Sequence, residues 1–243
     1  MNTQTNKLST YTFKNGLKDG LPIGLGYLSV SFAFGVQASL LNVLPLISLM
    51  ISMTNLTSAG QLAGLQIIAS MGTFLEIILI QLIINSRYFL MSISLSQKTD
   101  SSFTFSKRLI CSAFITDEIY AVAINKPKCI NTDYFLGLSL LPYIGWATGT
   151  IIGALAGNIM PQVIVSSLGI ALYAMFIAII IPPSIKNVGV CFAVVLGGAI
   201  SCALYYIPFF SFISPHFSVI ISALLTSVVC AIFFPVKKEE EEE

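Results

Sequence analysis

Long apolar runs alternate with short polar breaks along this chain, and the breaks mark out its elements. Asp19 to Leu41 reads as one helix, with Pro22 in its first turn, where a missing N–H is tolerated. Asn42 to Pro45 is a turn. The apolar stretch Leu44 to Ser96 is far longer than the roughly 20 residues that span a bilayer. Polar residues from Thr54 to Gln61 divide it, predicting a half-helix over Leu44–Met53 and a helix from Ser58 to about Ser70. Gly72-Thr73 opens a third helix that runs to Ser96, and a polar loop covers Gln97 to Ser106. Lys107 to Asn125 is a shorter span interrupted by Asp117 and Glu118. After the turn Lys126-Pro127-Lys128 come Tyr134–Asn158, Pro161–Ile181, Asn187–Ile207 and Phe217–Phe234, punctuated by Pro161, Pro182-Pro183, Pro208 and Pro215. The pattern predicts an all-α, polytopic integral membrane protein with about seven or eight transmembrane helices, some broken or re-entrant. The count turns on whether the segment near Asn55 crosses or re-enters.

Composition strengthens that picture. The 243 residues are 56% hydrophobic and 9% charged, with mean hydropathy +0.88, against about 25% charged residues in a soluble domain. No Asp, Glu, Lys or Arg occurs from Gly20 to Leu75, from Tyr134 to Ile185 or from Asn187 to Val236. A β-barrel would instead show short alternating segments. The expected organisation is a cytoplasmic leader over 1–19, a transmembrane domain over 20–235 and a charged tail over 236–243. Sidedness depends on the count. Eight crossings place Lys98, Lys107 and Arg108 opposite the other lysines, and a re-entrant segment inverts the later loops. Net charge is +1, with no basic cluster, so no nucleic-acid partner is expected. Five scattered cysteines lack metal spacing, so neither a metal nor a cofactor is implied, and they read as small hydrophobes. His216 reads as an interfacial residue. No G-x-S-x-G with a usable His, H-E-x-x-H or Walker A motif is present, so no enzyme is expected.

Ionisable and hydrogen-bonding groups inside apolar runs are costly unless they have a role. At the break, Asn55, Thr57, Ser58, Gly60 and Gln61 suit a half-helix terminus that receives an amino-acid carboxylate. A packed helix whose hydroxyls bond their own backbone fits the same residues. Arg87 lies as far before the turn near Ser101 as Asp117 and Glu118 lie after it. At 1.5 Å per residue, Arg87 should therefore pair with one of the two acids, leaving the other for a proton or a substrate ammonium. Alternatively these charges are anchors in the headgroup zone. Glu76, alone in its apolar run, is a candidate proton carrier or a partnered structural residue. Gly145, Gly149, Gly153 and Gly157 recur every fourth residue and predict a close helix–helix contact. Pro22-Ile23-Gly24 and Pro142-Tyr143-Ile144-Gly145 hint at an internal repeat.

Several of these stretches together resemble one family. Thr57-Ser58-Ala59-Gly60-Gln61 is similar to its F-A-G-x-Q segment, with Ser58 where an aromatic is usual. Asn85-Ser86-Arg87-Tyr88 resembles N-x-R-H with Tyr88 for His, and Thr116-Asp117-Glu118-Ile119-Tyr120-Ala121 resembles T-D-E-x-Y/F-A. Tyr134 to Gly157, with Trp146-Ala147-Thr148-Gly149-Thr150, resembles its F-x-x-G…Y-x-x-W-x-x-G-T-x-x-G block, and Ala174-Met175-Phe176-Ile177 follows. The family is AzlC, the large subunit of branched-chain amino-acid exporters, and the likeness covers about Gly16 to Pro183. It implies a multi-pass plasma (inner) membrane protein working with a small membrane subunit of the AzlD type. It implies small hydrophobic amino acids as substrate and the proton motive force as driver. One departure is Ser167-Leu168-Gly169-Ile170-Ala171, where the family's acidic residue is replaced by Gly169. The other is Tyr88, which removes a titrating His.

The expectation is an exporter with a polar lining of Asn55, Thr57, Ser58, Gly60 and Gln61. Glu76, Arg87, Asp117 and Glu118 would serve as charged gate or proton coupling. The alternatives are a non-transporting scaffold whose Gly145–Gly157 face docks a partner, and an exporter or channel for another small solute.

Overall fold

The computed structural model describes residues 11–157, 159–210 and 212–234. Of the positions singled out above, the leader to residue 10, Asn158, the tail from 235, and the side-chain surroundings of Gly169 and His216 lie outside that description. Ten α-helices carry the described chain: α1 (Phe13–Leu40), α2 (Pro45–Thr54), α3 (Ser58–Ala69), α4 (Phe74–Ser96), α5 (Phe105–Ser112), α6 (Asp117–Ile124), α7 (Thr132–Ala156), α8 (Gln162–Lys186), α9 (Val188–Tyr206) and α10 (Pro215–Phe233). No strand forms among the described residues beyond the isolated bridge between Thr99 and Ile130. Of the described helices, α1, α4, α7 and α9 are long and apolar enough to cross a membrane. The chain divides into two units. The first holds Met1–Ala69 and Ile84–Leu172, the second Ser70–Ile83 and Tyr173–Glu243.

The first unit is built on a close parallel packing of α1 and α7. Thr12 caps α1 through its side chain, accepting from Asn15 N at 3.3 Å, so the helix begins before the expected Asp19. Two glycine rows then face each other. A Cβ at Gly16 or Gly20 would strike the α7 backbone at Tyr134 or Leu138, and one at Gly145, Gly149 or Gly153 would strike the α1 backbone at Gly24, Leu28 or Phe32. A Cβ at Gly157 would reach Ser39 and Val36. Contacts advance along both helices together, so the two run in the same direction. Small residues permit this approach, and dispersion between the two backbones holds it where lipid offers no hydrophobic drive.

Between these helices the chain folds back twice, from opposite ends. Val43 N donates to Ala38 O at 3.0 Å, so α2 starts beside the end of α1. It descends until Met53 O accepts from the Tyr143 hydroxyl at 3.2 Å and Leu56 packs on Tyr27 and Trp146. Then α3 climbs again, and Leu65 joins Phe34 and Ala38, with Ile51 and Leu62 against the same cluster. At the other end, Asp100 N donates to Ile130 O and Ile130 N to Lys98 O, at 3.0 and 2.9 Å. The Ser102 and Thr132 hydroxyls lie 3.0 Å apart. The chain therefore leaves through α5 and returns through α6 at one level, that of the first turn of α7. Its tip reaches Phe114, whose ring meets Tyr143 edge-on at 5.2 Å. Thr132 to Tyr143 is three turns of helix, so this hairpin penetrates roughly 16 Å, about half a hydrocarbon core.

This geometry bears on the two short pairs. The segment near Asn55 folds back beside α1 and α7, and Lys107–Asn125 is a second pair of short helices that returns to the end it left. The reason is local. Neither member of either pair has the length to span, and Thr116 caps the backbone at the start of α6.

In the second unit α9 packs on α10, where Ser222 Oγ donates to Gly197 O at 2.9 Å and the rings of Phe192 and Phe234 lie 5.4 Å apart. α8 runs through Pro182-Pro183 to Lys186 instead of ending at Ile181, as membrane helices tolerate proline interruptions. The start of α4 carries a reciprocal cap. Glu76 Oε2 accepts from Thr73 N at 2.7 Å, and Thr73 Oγ1 accepts from Glu76 N at 3.3 Å.

Candidate functional site

The two hairpin tips arrive at the same depth from opposite ends, and each presents the start of its returning helix there. At the first tip, the Thr57 hydroxyl donates to Asn55 Oδ1 at 2.7 Å and Ser58 opens α3. At the second, Thr116 caps α6, its Oγ1 accepting from Ile119 N at 3.4 Å. Residues 117 and 118 stand in the first turn of α6, where a carboxylate complements the helix dipole.

Two tyrosines of the scaffold touch both tips. Tyr27 of α1 is buried, its ring packing on Leu56 of the first tip and edge-on to Trp146 at 5.1 Å. Its hydroxyl hydrogen-bonds at the second tip, to Thr116 Oγ1 at 2.7 Å and to the Glu118 carboxylate. Tyr143 of α7 does the converse. Its hydroxyl reaches Met53 O near the first tip, while its ring meets Phe114 of the second.

The charges gather on the α6 side. The stretch 84–96 of α4 runs alongside α6, with the Tyr120 hydroxyl donating to Ser94 Oγ at 3.0 Å and Leu95 in the cluster of Ile119 and Ala123. This sets Arg87 level with the tip, and its Nη2 lies 3.0 Å from Asp117 Oδ2. The pairing expected from equal depth is therefore present. Arg87 also donates to the Tyr88 hydroxyl at 3.3 Å, while its buried Nε has no hydrogen-bond partner among the described residues. Glu118 is exposed apart from its bond to Tyr27. A second ion pair secures the foot of the hairpin. Lys126 Nζ and the Tyr134 hydroxyl both meet Asp19 Oδ2, at 2.8 and 2.7 Å.

Not every residue singled out in the sequence lies here. Asn55, Thr57 and Ser58 occupy the first tip. Gly60 and Gln61 are buried beyond it. Gln61, 1% exposed, accepts from Trp146 Nε1 and donates to Ser52 Oγ, both at 2.9 Å, and Ser52 reaches Thr150 at 2.7 Å. Both ends of its amide are thus engaged in tying the first hairpin to α7. Glu76 belongs to the second unit, 6% exposed, bonded to Thr73 and accepting from Ser214 Oγ at 2.5 Å. The capping box gives Glu76 the partners of a structural residue, the alternative to a proton carrier. Gly145, Gly149, Gly153 and Gly157 face α1 of their own chain, so the stripe is already occupied and offers no docking face. Tyr27 and Tyr143 escaped notice, although each is a polar-tipped aromatic within five residues after the proline of its helix.

Comparison with known proteins agrees with the motifs. A family model described as AzlC protein matches residues 22–160. An "Uncharacterized membrane protein" of Archaeoglobus fulgidus is 32% identical over 196 residues, covering 79% of this chain and 84% of its own. "Inner membrane protein YgaZ" of Escherichia coli K12 is 27% identical over 205 residues, covering 81% of this chain and 84% of its own. An "Uncharacterized membrane protein" of Helicobacter pylori J99 is 23% identical over 149 residues, 60% of this chain and 64% of its own. No solved structure matches the chain.

Proposed function

The chain belongs to the AzlC family, and from that premise we propose that it is the transporting subunit of an exporter for branched-chain or similar hydrophobic amino acids. It works in the plasma membrane with a small AzlD-type partner subunit and draws on the proton motive force. The observation that carries this reading is the meeting of two oppositely inserted hairpins at one depth, with Arg87, Asp117 and Glu118 gathered at the tip of the second. Non-helical backbone at membrane depth is tolerated where protein or a water-filled cavity surrounds it, and transporters place their sites there. α1, α4 and α7 cross the bilayer and the two hairpins re-enter it.

The cargo sits between the tips. Glu118 receives its ammonium or a coupling proton, the start of α3 with Asn55, Thr57 and Ser58 receives its carboxylate, and Leu56 and Phe114 face its apolar side chain. Arg87 neutralises Asp117, so the site holds one free acid and not two. Opening one hairpin at a time gives access to one side at a time. No bond is made or broken, and no cofactor or metal is needed.

The test is efflux of leucine and valine from cells preloaded with dipeptides, with this chain alone and with an AzlD-type subunit. Faster efflux that requires both chains supports the reading. No change in either case, with the protein present in the membrane, removes the cargo assignment. Competition by other small solutes then distinguishes a different exporter or channel.

A further inference from the structure

We propose that Tyr27 and Tyr143 are paired latches, each fastening both hairpin tips closed on the α1–α7 scaffold. The inference rests on the reading of the tips as gates, but its test needs no knowledge of the cargo. The two contacts are reciprocal. Tyr27 gives its ring to the first tip, at Leu56, and its hydroxyl to the second, at Thr116 and Glu118. Tyr143 gives its hydroxyl to the first, at Met53 O, and its ring to the second, at Phe114. Both stand on the α1–α7 pair, whose backbone contact at Gly24, Gly145 and Gly149 brackets their level and leaves no slack for the scaffold to follow a moving tip. A tip that withdraws must therefore give up its own half of both contacts. Each tyrosine keeps its other half: with the first tip withdrawn, Tyr27 holds the second by its hydroxyl and Tyr143 by its ring, and with the second withdrawn the two exchange roles. With both hairpins withdrawn, both rings and both hydroxyls lose their partners at once, which makes the doubly open state the most costly arrangement. Tyrosine suits this work because two torsions place a rigid ring and a hydroxyl at opposite ends of one side chain.

The experiment keeps buried Cys111 as a folding sentinel and replaces the other native cysteines. Asn55→Cys and Ile115→Cys mark the two tips. A membrane-impermeant maleimide is applied to both faces of vesicles holding the full chain, and adducts are counted by intact mass and assigned to a tip by peptide mass. In the parent, molecules carry one tip adduct or none within a short pulse. Tyr143→Phe keeps the ring against Phe114 and deletes only the bond to Met53 O. It should raise labelling at position 55 about five-fold, the size expected for one net hydrogen bond lost, and leave position 115 at the parent level. Tyr27→Phe should act at the other tip, raising labelling at position 115, and the double variant should raise both. Labelling of position 55 at the parent level in Tyr143→Phe, with Cys111 protected, overturns the proposal. If Tyr27→Phe exposes Cys111, Tyr143→Phe alone decides. Failed amino-acid efflux with this labelling pattern intact discards the cargo and retains the latches.

Discussion

Gly153→Ala tests the foundation of the first unit with a single methyl group. A Cβ there falls inside contact distance of the Phe32 carbonyl, with Phe32 Cα and C also against it. These are backbone atoms of a helix, so no side-chain rotation relieves the clash, and α1 and α7 must part. Overpacking of a close-fitted site costs about 1–3 kcal/mol. For a chain of this size each kcal/mol shifts Tm by roughly 2–4 °C, so a fall of about 2–12 °C is expected. Gly198→Ala is the control, since a Cβ there meets nothing within 4 Å. In a helix it should be neutral or slightly stabilising, because alanine is favoured over glycine by up to about 1 kcal/mol. The assay is thermal unfolding in detergent, followed by the loss of the monodisperse peak on size exclusion. Equal Tm for the two variants would mean that the α1–α7 seam is looser than described, and the depth argument for both hairpin tips would fall with it.

Two further predictions follow from the charges. Arg87→Gln and Asp117→Asn should each lower stability more than half as much as the double variant. A thermodynamic cycle should give a coupling of about 0.5–1 kcal/mol, the low end for contacting groups, because the side chains are 40% and 38% exposed. A coupling of zero would refute the pair. Glu76→Gln keeps the Thr73 and Ser214 contacts in weakened form and should cost about 0.5–1 kcal/mol with export unchanged. Loss of proton-driven efflux at normal protein levels would instead restore Glu76 as a coupling residue.

The helices were legible because their breakers are strong. Asn42, Thr54 to Thr57, Gly72-Thr73 and the polar loop after Ser96 fall where the helices end, and both Asn42 and Met71 take positive φ at such ends. Arg87 and Asp117 were paired correctly because depth along two helices is arithmetic. The direction of a short helix is not. Nothing in Lys107–Asn125 distinguishes a broken crossing from a returning hairpin, since either buries the same residues. Only distant partners decide it, the Thr99–Ile130 bridge above all. The partners of Gln61 and Glu76 were hidden for the same reason. A polar side chain in an apolar run announces that it has a partner, and Trp146 and Ser214 lie far away in sequence.

The fold-back of both hairpins also sorts the charges of the first unit by end. Lys14 and Lys18 begin α1, Lys98 follows α4, Lys107 and Arg108 begin α5, and Lys126 and Lys128 follow α6. All stand at the end where α1 and α7 start, and the turn at Asn42 to Leu44 at the opposite end carries no lysine or arginine. The positive-inside rule assigns such an end to the cytoplasm. In the proposed exporter the α5–α6 hairpin would then open inward with Asp117 and Glu118 at its tip, and the α2–α3 hairpin outward with only neutral polar groups. Its path would be asymmetric: a zwitterion captured on the loading side against fixed charge would leave past a tip that holds none, favouring departure over return.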